Sequence, residues 1–174
     1  MIELKDVVYC RLGTRDIEGA EWFAVNILGL EVAERQRGAV HFKSDSRYHT
    51  LCYFEGDPDE QVTAFEVAGT SELQAAAATL EQLGHPVHAG TAEECAVRHV
   101  REFIRFTDPT GNGIELVVRP DQSAQRYHGT RDAGITGFSH VGLCTTDAAR
   151  DEKFWTTVCN ARVSDRIGDA PLMR

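Results

Sequence analysis

The sequence has no apolar run approaching the roughly 20 residues that cross a bilayer, which excludes a helical membrane span. Its opening, MIELKDVVYC, carries neither a basic leader nor a cleavage site, so a cytoplasmic location is expected. Cationic residues are scarce: 18 Lys and Arg stand against 27 Asp and Glu, for a formal net charge of −9. That field repels phosphate backbones and anionic headgroups, so neither nucleic acid nor a membrane surface is an expected partner, and a small neutral or metal-bound ligand suits it better. The five cysteines, at 10, 52, 95, 144 and 159, include no CxxC pair, which removes the usual zinc and dithiol sites and leaves disulfides unexpected. Cys10, Cys52 and Cys144 fall in strand-like runs and read as small buried hydrophobes.

What is present is ordinary globular composition over 174 residues, enough for one full core and part of another. Residues 4–12 alternate as a strand, and Asp16 offers an N-cap to IEGAEWFAVNIL, whose Ile17, Ala20, Ala24 and Ile27 or Leu28 recur at helical spacing before Gly29. Three strand candidates follow, LEVAERQ, AVHFKS and YHTLCYFE, giving βαβββ. The order then recurs: strand QVTAFEVA, Ser71 as a cap before ELQAAAATLEQL, Gly84 as the stop, a short stretch near Pro86–His88, then HVREFIRFTD and GIELVV joined by DPTGN.

Residues 119–134 are polar, contain Pro and Gly, and lack apolar periodicity, so they read as a linker that closes a module spanning 1–118. The strand-like ITGFSHVGLC then begins another module over 135–174, expected to hold its first strand, helix and second strand. A self-comparison supports the duplication: Thr14-Arg15-Asp16 falls on Thr145-Thr146-Asp147, Phe23 on Phe154, Glu34 on Asp165 and Arg35 on Arg166, all at one offset of 131 without a gap. The expected class is α+β, with paired βαβββ repeats forming a curved mixed sheet and helices on one face. In the first strand, Val8, Cys10 and Leu12 are assigned to the helix, and Val7, Tyr9 and Arg11 to the concave face; in the duplicate, Phe138, His140 and Gly142 face the concavity.

Two stretches, RFTDPTGNGIELVV and GFSHVGLCTTD, resemble the vicinal-oxygen-chelate superfamily, which includes glyoxalase I, bleomycin and fosfomycin resistance proteins, methylmalonyl-CoA epimerase and the type I extradiol dioxygenases. RFTDPTGNGIELVV marks the fold and says little about activity. GFSHVGLCTTD resembles the opening of the catalytic module in two-module extradiol dioxygenases, where the N-terminal module is metal-free and the strand histidine, here His140, is an iron ligand. That resemblance implies extradiol cleavage of a catechol-type diol by O2 at non-haem Fe(II), or Mn(II) in some members, during aromatic catabolism, with a homo-oligomeric enzyme. Two imidazoles and a carboxylate on one face of such an ion leave adjacent positions open for both diol oxygens and O2. The resemblance also implies that the other histidine ligand, the glutamate ligand and the acid-base histidine and tyrosine lie beyond Arg174, so the chain is expected to be a fragment, inactive alone.

The first module offers its own trio, because Tyr9 matches His140 by the repeat, His49 stands in the strand resembling the family's second ligand strand, and Glu115 occupies the IEL position. A phenol with an ordinary pKa of about 10 is a poor neutral-pH ligand, so this site is expected to be vestigial, with Glu115 pairing to an arginine such as Arg11. His41, His85, His88, His99 and His128 show no metal spacing and are expected at the surface. Asp57-Pro58-Asp59-Glu60 reads as a solvated turn and not a calcium loop, and Ala75–Ala78 with Leu80 and Leu83 as a packing stripe. Two other readings stand beside the dioxygenase: a metal-free module that binds a planar ligand without turnover, and a glyoxalase or epimerase that moves a proton beside metal-polarised oxygens.

Overall fold

The computed structural model describes residues 1–130 and 134–174; part of the expected linker, residues 131–133, lies outside the described residues. The chain forms two compact units. The first comprises Val7–Ala64 with Pro120–Val141, and the second comprises Met1–Asp6, Phe65–Arg119 and Gly142–Arg174.

In the first unit the elements run β1 (Val7–Thr14), α1 (Ile17–Trp22), β2 (Glu31–Gln36), β3 (Ala39–Lys43) and β4 (Leu51–Glu55), followed by the start of β5 (Gln61–Glu66). The strands are ordered β2-β3-β4-β1-β5. β1 and β4 are parallel, and β2–β3 and β3–β4 are antiparallel. The Asp16 carboxylate accepts the Gly19 N–H at 2.9 Å and so starts α1 where expected. The helix continues as a π-helical stretch over Phe23–Leu28 and stops at Gly29, whose φ of 74° suits a residue without Cβ. Directly paired residues lie on one side of a sheet, so the register places Arg11, Cys52, His41 and Glu34 in one row. The opposite side, with Val40, Phe42, Leu51 and Tyr53, packs against Ile17, Ala24, Val25 and Leu28 of the helix. Leu12 pairs with Tyr53 on that helix side, while Tyr9 and Arg11 belong to the polar side.

The second unit takes the end of β5, then α2 (Thr70–Gln82), β6 (His88–Ala89), α3 (Ala92–Arg98), β7 (Val100–Thr107), β8 (Gly113–Pro120), α4 (Ala148–Thr157), β9 (Val163–Ile167) and β10 (Ala170–Met173). Its sheet runs β5-β8-β7-β6, and β9 and β10 form a separate antiparallel hairpin. One core joins Leu73, Ala76 and Leu80 of α2 to Ile104 and Phe106 of β7, Ile114, Leu116 and Val118 of β8, and Phe154 and Trp155 of α4. The fold is thus α+β with a mixed sheet and two βαβββ successions.

The internal repeat is written into local contacts as well as residue types. Thr14 and Thr145 each accept the backbone N–H two residues on, at 3.1 Å in both cases. Asp147 caps α4 through the Arg150 N–H as Asp16 caps α1. Arg35 pairs with Glu21 at 2.5 Å, and their counterparts Arg166 and Glu152 pair at 2.8 Å.

Several expectations are corrected. α2 is capped at Gly69, with Thr70 already helical, and the Ser71 hydroxyl donates to Glu72 instead of capping. Helix α3 was not foreseen. Residues 134–144 form no strand, because a strand needs a partner for its backbone ladder and this segment is instead held by isolated side-chain bonds. Cys144 on that segment is therefore exposed and Cys10 only half-buried, whereas Cys52 lies in the core as expected. His41 is fully buried, because all five residues of β3 are. None of the five cysteines forms a disulfide. Among the described residues, no helix is long and apolar enough to cross a membrane.

Candidate functional site

His140 sits in the extended segment between residues 134 and 144 and is exposed, with Nδ1 3.0 Å from the Ser139 hydroxyl. Two residues before it, the Phe138 N–H donates to Asp45 at 3.3 Å and the Phe138 carbonyl accepts from Arg47 at 3.2 Å; Asp45 and Arg47 are themselves ion-paired. Four residues after it, the Cys144 carbonyl accepts from Asn112 at 2.8 Å. The ring therefore rides on backbone tethered at two points, and it does not line a pleated concave sheet as the alternation of ITGFSHVGLC predicts.

The first-module trio divides between the two units. Tyr9 on β1 is fully buried and stacks on His49, with ring centroids 4.7 Å apart and planes 24° from parallel. His41 meets the same His49 ring edge-on, at 4.7 Å and 84°. Arg11, two residues along β1 from Tyr9, donates to the Cys52 sulfur at 3.5 Å and lies 5.2 Å from the Phe54 ring centroid.

Glu115 on β8 is completely buried, and its Oε1 accepts from Arg98 Nε at 2.9 Å. The expected partner, Arg11, is replaced by Arg98 because α3 carries Arg98 to this carboxylate. The Arg98 guanidinium also lies 4.2 Å from the Phe103 ring centroid and donates to the Glu94 carbonyl at 3.2 Å. The signal for α3 was present in TAEECAVR: Thr91 accepts the Glu94 N–H while the Glu94 carboxylate accepts the Thr91 N–H, a reciprocal capping box.

The Thr91 N–H, with His88 at 2.9 Å, holds the Glu94 carboxyl down to about 2. Because the folded value is depressed, the cap's contribution is present above the ordinary carboxylate range and lost as pH falls toward 2. Amide exchange in 92–98 should therefore accelerate on acidification from pH 5 to 2 relative to β7, once corrected for intrinsic rates; equal protection across that range would contradict the assignment.

Among the described residues, no three His, Cys, Asp or Glu side chains converge as a metal would require. Glu115 faces a guanidinium, Tyr9 offers a phenol in an aromatic stack, and His140 supplies one imidazole. The described residues alone do not fit an iron ion.

Comparison with known proteins places residues 6–116 in a match to the Glyoxalase/Bleomycin resistance protein/Dioxygenase superfamily. An iron-dependent extradiol dioxygenase of Rhodococcus jostii (strain RHA1) is 28% identical over 95% of this chain and 57% of its own length. Biphenyl-2,3-diol 1,2-dioxygenase of Paraburkholderia xenovorans is 26% identical over 95% of the chain and 58% of its own length. Among solved structures, a Mn(II)-bound glyoxalase from Novosphingobium aromaticivorans superposes with a TM-score of 0.84 at 23% identity, covering 98% of this chain and 58% of that one. A halotolerant catechol dioxygenase superposes with a TM-score of 0.83 at 22% identity, over 95% and 58%. These structural likenesses show the fold. The chain spans rather more than half the length of the curated relatives it matches.

Proposed function

The chain belongs to the Glyoxalase/Bleomycin resistance protein/Dioxygenase superfamily, and from that membership we propose that it is the N-terminal part of a type I extradiol dioxygenase. Such an enzyme opens a catechol-type ring beside its diol with O2 at non-haem Fe(II), or Mn(II), in the breakdown of aromatic compounds. The observation that carries this reading is that an iron-dependent extradiol dioxygenase and a biphenyl-2,3-diol 1,2-dioxygenase each align over 95% of the chain.

In this reading residues 1–118 are a metal-free module, 119–134 a linker, and 135–174 the start of the catalytic module, with His140 as the first of its metal ligands. The first module's chemistry supports its part: the carboxylate at the ligand position is neutralised by Arg98, and Tyr9 stands where the repeat carries a histidine. The remaining ligands and the acid-base groups come from outside these residues. The whole enzyme is a cytoplasmic homo-oligomer whose partners are a small aromatic diol and O2.

The same Glu115–Arg98 pair also favours an alternative, in which the module binds a planar ligand without turnover. The two separate in one assay. With the intact protein loaded with Fe(II), 2,3-dihydroxybiphenyl and 3-methylcatechol should drive O2 uptake and a coloured ring-opened product. Saturable binding of either diol without O2 uptake would overturn the dioxygenase and leave a binding module.

A further inference from the structure

We propose that the Asp108–Asn112 turn is a docking clamp for the chain that follows the linker, with Thr110 and Asn112 as positioning residues for the segment that carries His140. The turn looks after its own backbone. The buried Asp108 carboxylate accepts the N–H groups of Thr110, Gly111 and Asn112 at 3.0, 2.9 and 2.8 Å, and Gly111 takes a φ of 108° that residues with a Cβ avoid. Closing the turn therefore needs Asp108 and Gly111, and it leaves Thr110 free for other bonds and Asn112 only partly committed.

Both side chains are used on residues after the linker. Asn112 spends one amide proton on Asp108 at 2.7 Å and the other on the Cys144 carbonyl at 2.8 Å. The Thr110 hydroxyl donates to the Asp151 carboxylate and accepts from the Thr146 N–H at 3.1 Å and from Arg150 Nη2 at 2.7 Å, so its one proton and both lone pairs are engaged. Asp151, on the first turn of α4, is buried and also accepts from Thr145 at 2.5 Å and from Arg150 Nε at 2.9 Å. One turn thus grips residues 144, 146, 150 and 151, the last two of them within α4, whose Phe154 and Trp155 sit in the second-unit core. Four residues of chain span at most about 14 Å, so a fixed Cys144 confines where His140 can reach.

The role given to His140 rests on the proposed function; the clamp itself does not. Amide exchange of the 174-residue chain tests it. Thr110→Val keeps the side-chain volume and removes the hydroxyl, and it should speed exchange across 144–157 by about tenfold or more while β7 and β8 keep their protection. Thr110→Ser should restore protection. Arg150→Met, on the exposed side of the network, should speed the same segment by a smaller factor and keeps the test open if Thr110→Val does not fold. Unchanged protection of 144–157 in both Thr110→Val and Arg150→Met, or a serine variant as fast as the valine one, overturns the clamp. Faster exchange at 144–157 with iron content unchanged in the intact protein leaves the clamp standing and removes the role given to His140.

Discussion

Replacing Arg98 with alanine should cost about 3–5 kcal/mol of stability, read as a lowered urea midpoint. Glu115 is completely buried on β8, and Arg98 faces it at 2.9 Å with its guanidinium 4.2 Å from the Phe103 ring centroid. Removing the guanidinium takes a cationic partner from a buried carboxylate and deletes a cation–π contact in the same step. Replacing both partners with apolar residues, Arg98→Met with Glu115→Leu, should recover most of the loss, because the cost lies in keeping a charge buried more than in the missing bond. An Arg98→Ala variant within about 1 kcal/mol of the parent would show that the pair is a surface-like contact and would remove the account of the first module as a site whose metal position has been taken by a cation.

The other large effect concerns metal in the intact protein. His140→Ala should lower iron affinity by more than about 100-fold, since even partners that only orient a ligand are worth 10–100-fold. Tyr9→Phe and Glu115→Gln should leave iron content unchanged. Elemental analysis of the three purified variants after dialysis separates the modules: iron lost on Glu115→Gln but kept on His140→Ala would reverse the assignment. Stability should be watched in parallel, because Glu115→Gln disturbs the Arg98 pair.

The repeat was the most legible feature. A fixed register between 14–35 and 145–166 predicted another capped helix, and the matching Arg35–Glu21 and Arg166–Glu152 pairs show that the resemblance extends to contacts no composition measure could reveal. The succession of strands along the chain was accessible where alternation was clean and punctuated by glycine, whereas their order in the sheet was not. The failures have physical reasons. ITGFSHVGLC alternates as a strand should, yet alternation describes side chains, and a strand also needs a ladder partner that the periodicity does not supply. His41 was expected at the surface because it shows no metal spacing, but β3 is covered along its whole length, and the imidazole is accommodated by packing on His49. Glu115 was expected to pair with an arginine and does, but which arginine was missed because α3 is seven residues long and its capping box is a short signal. Thr110 and Asn112 belong to a motif that marks the fold, and their bonds to residues 144–151 cross the linker, beyond the reach of local sequence reasoning.

The central claim is that this chain opens a longer, iron-dependent enzyme whose first module holds no metal. The most direct test is the intact mass of the protein from its source, measured together with iron per chain. A mass well above 19.3 kDa with about one iron per chain, retained when Glu115 is changed and lost when His140 is changed, is the predicted result. A mass of 19.3 kDa with no iron bound would contradict the account and leave a small-molecule binding module.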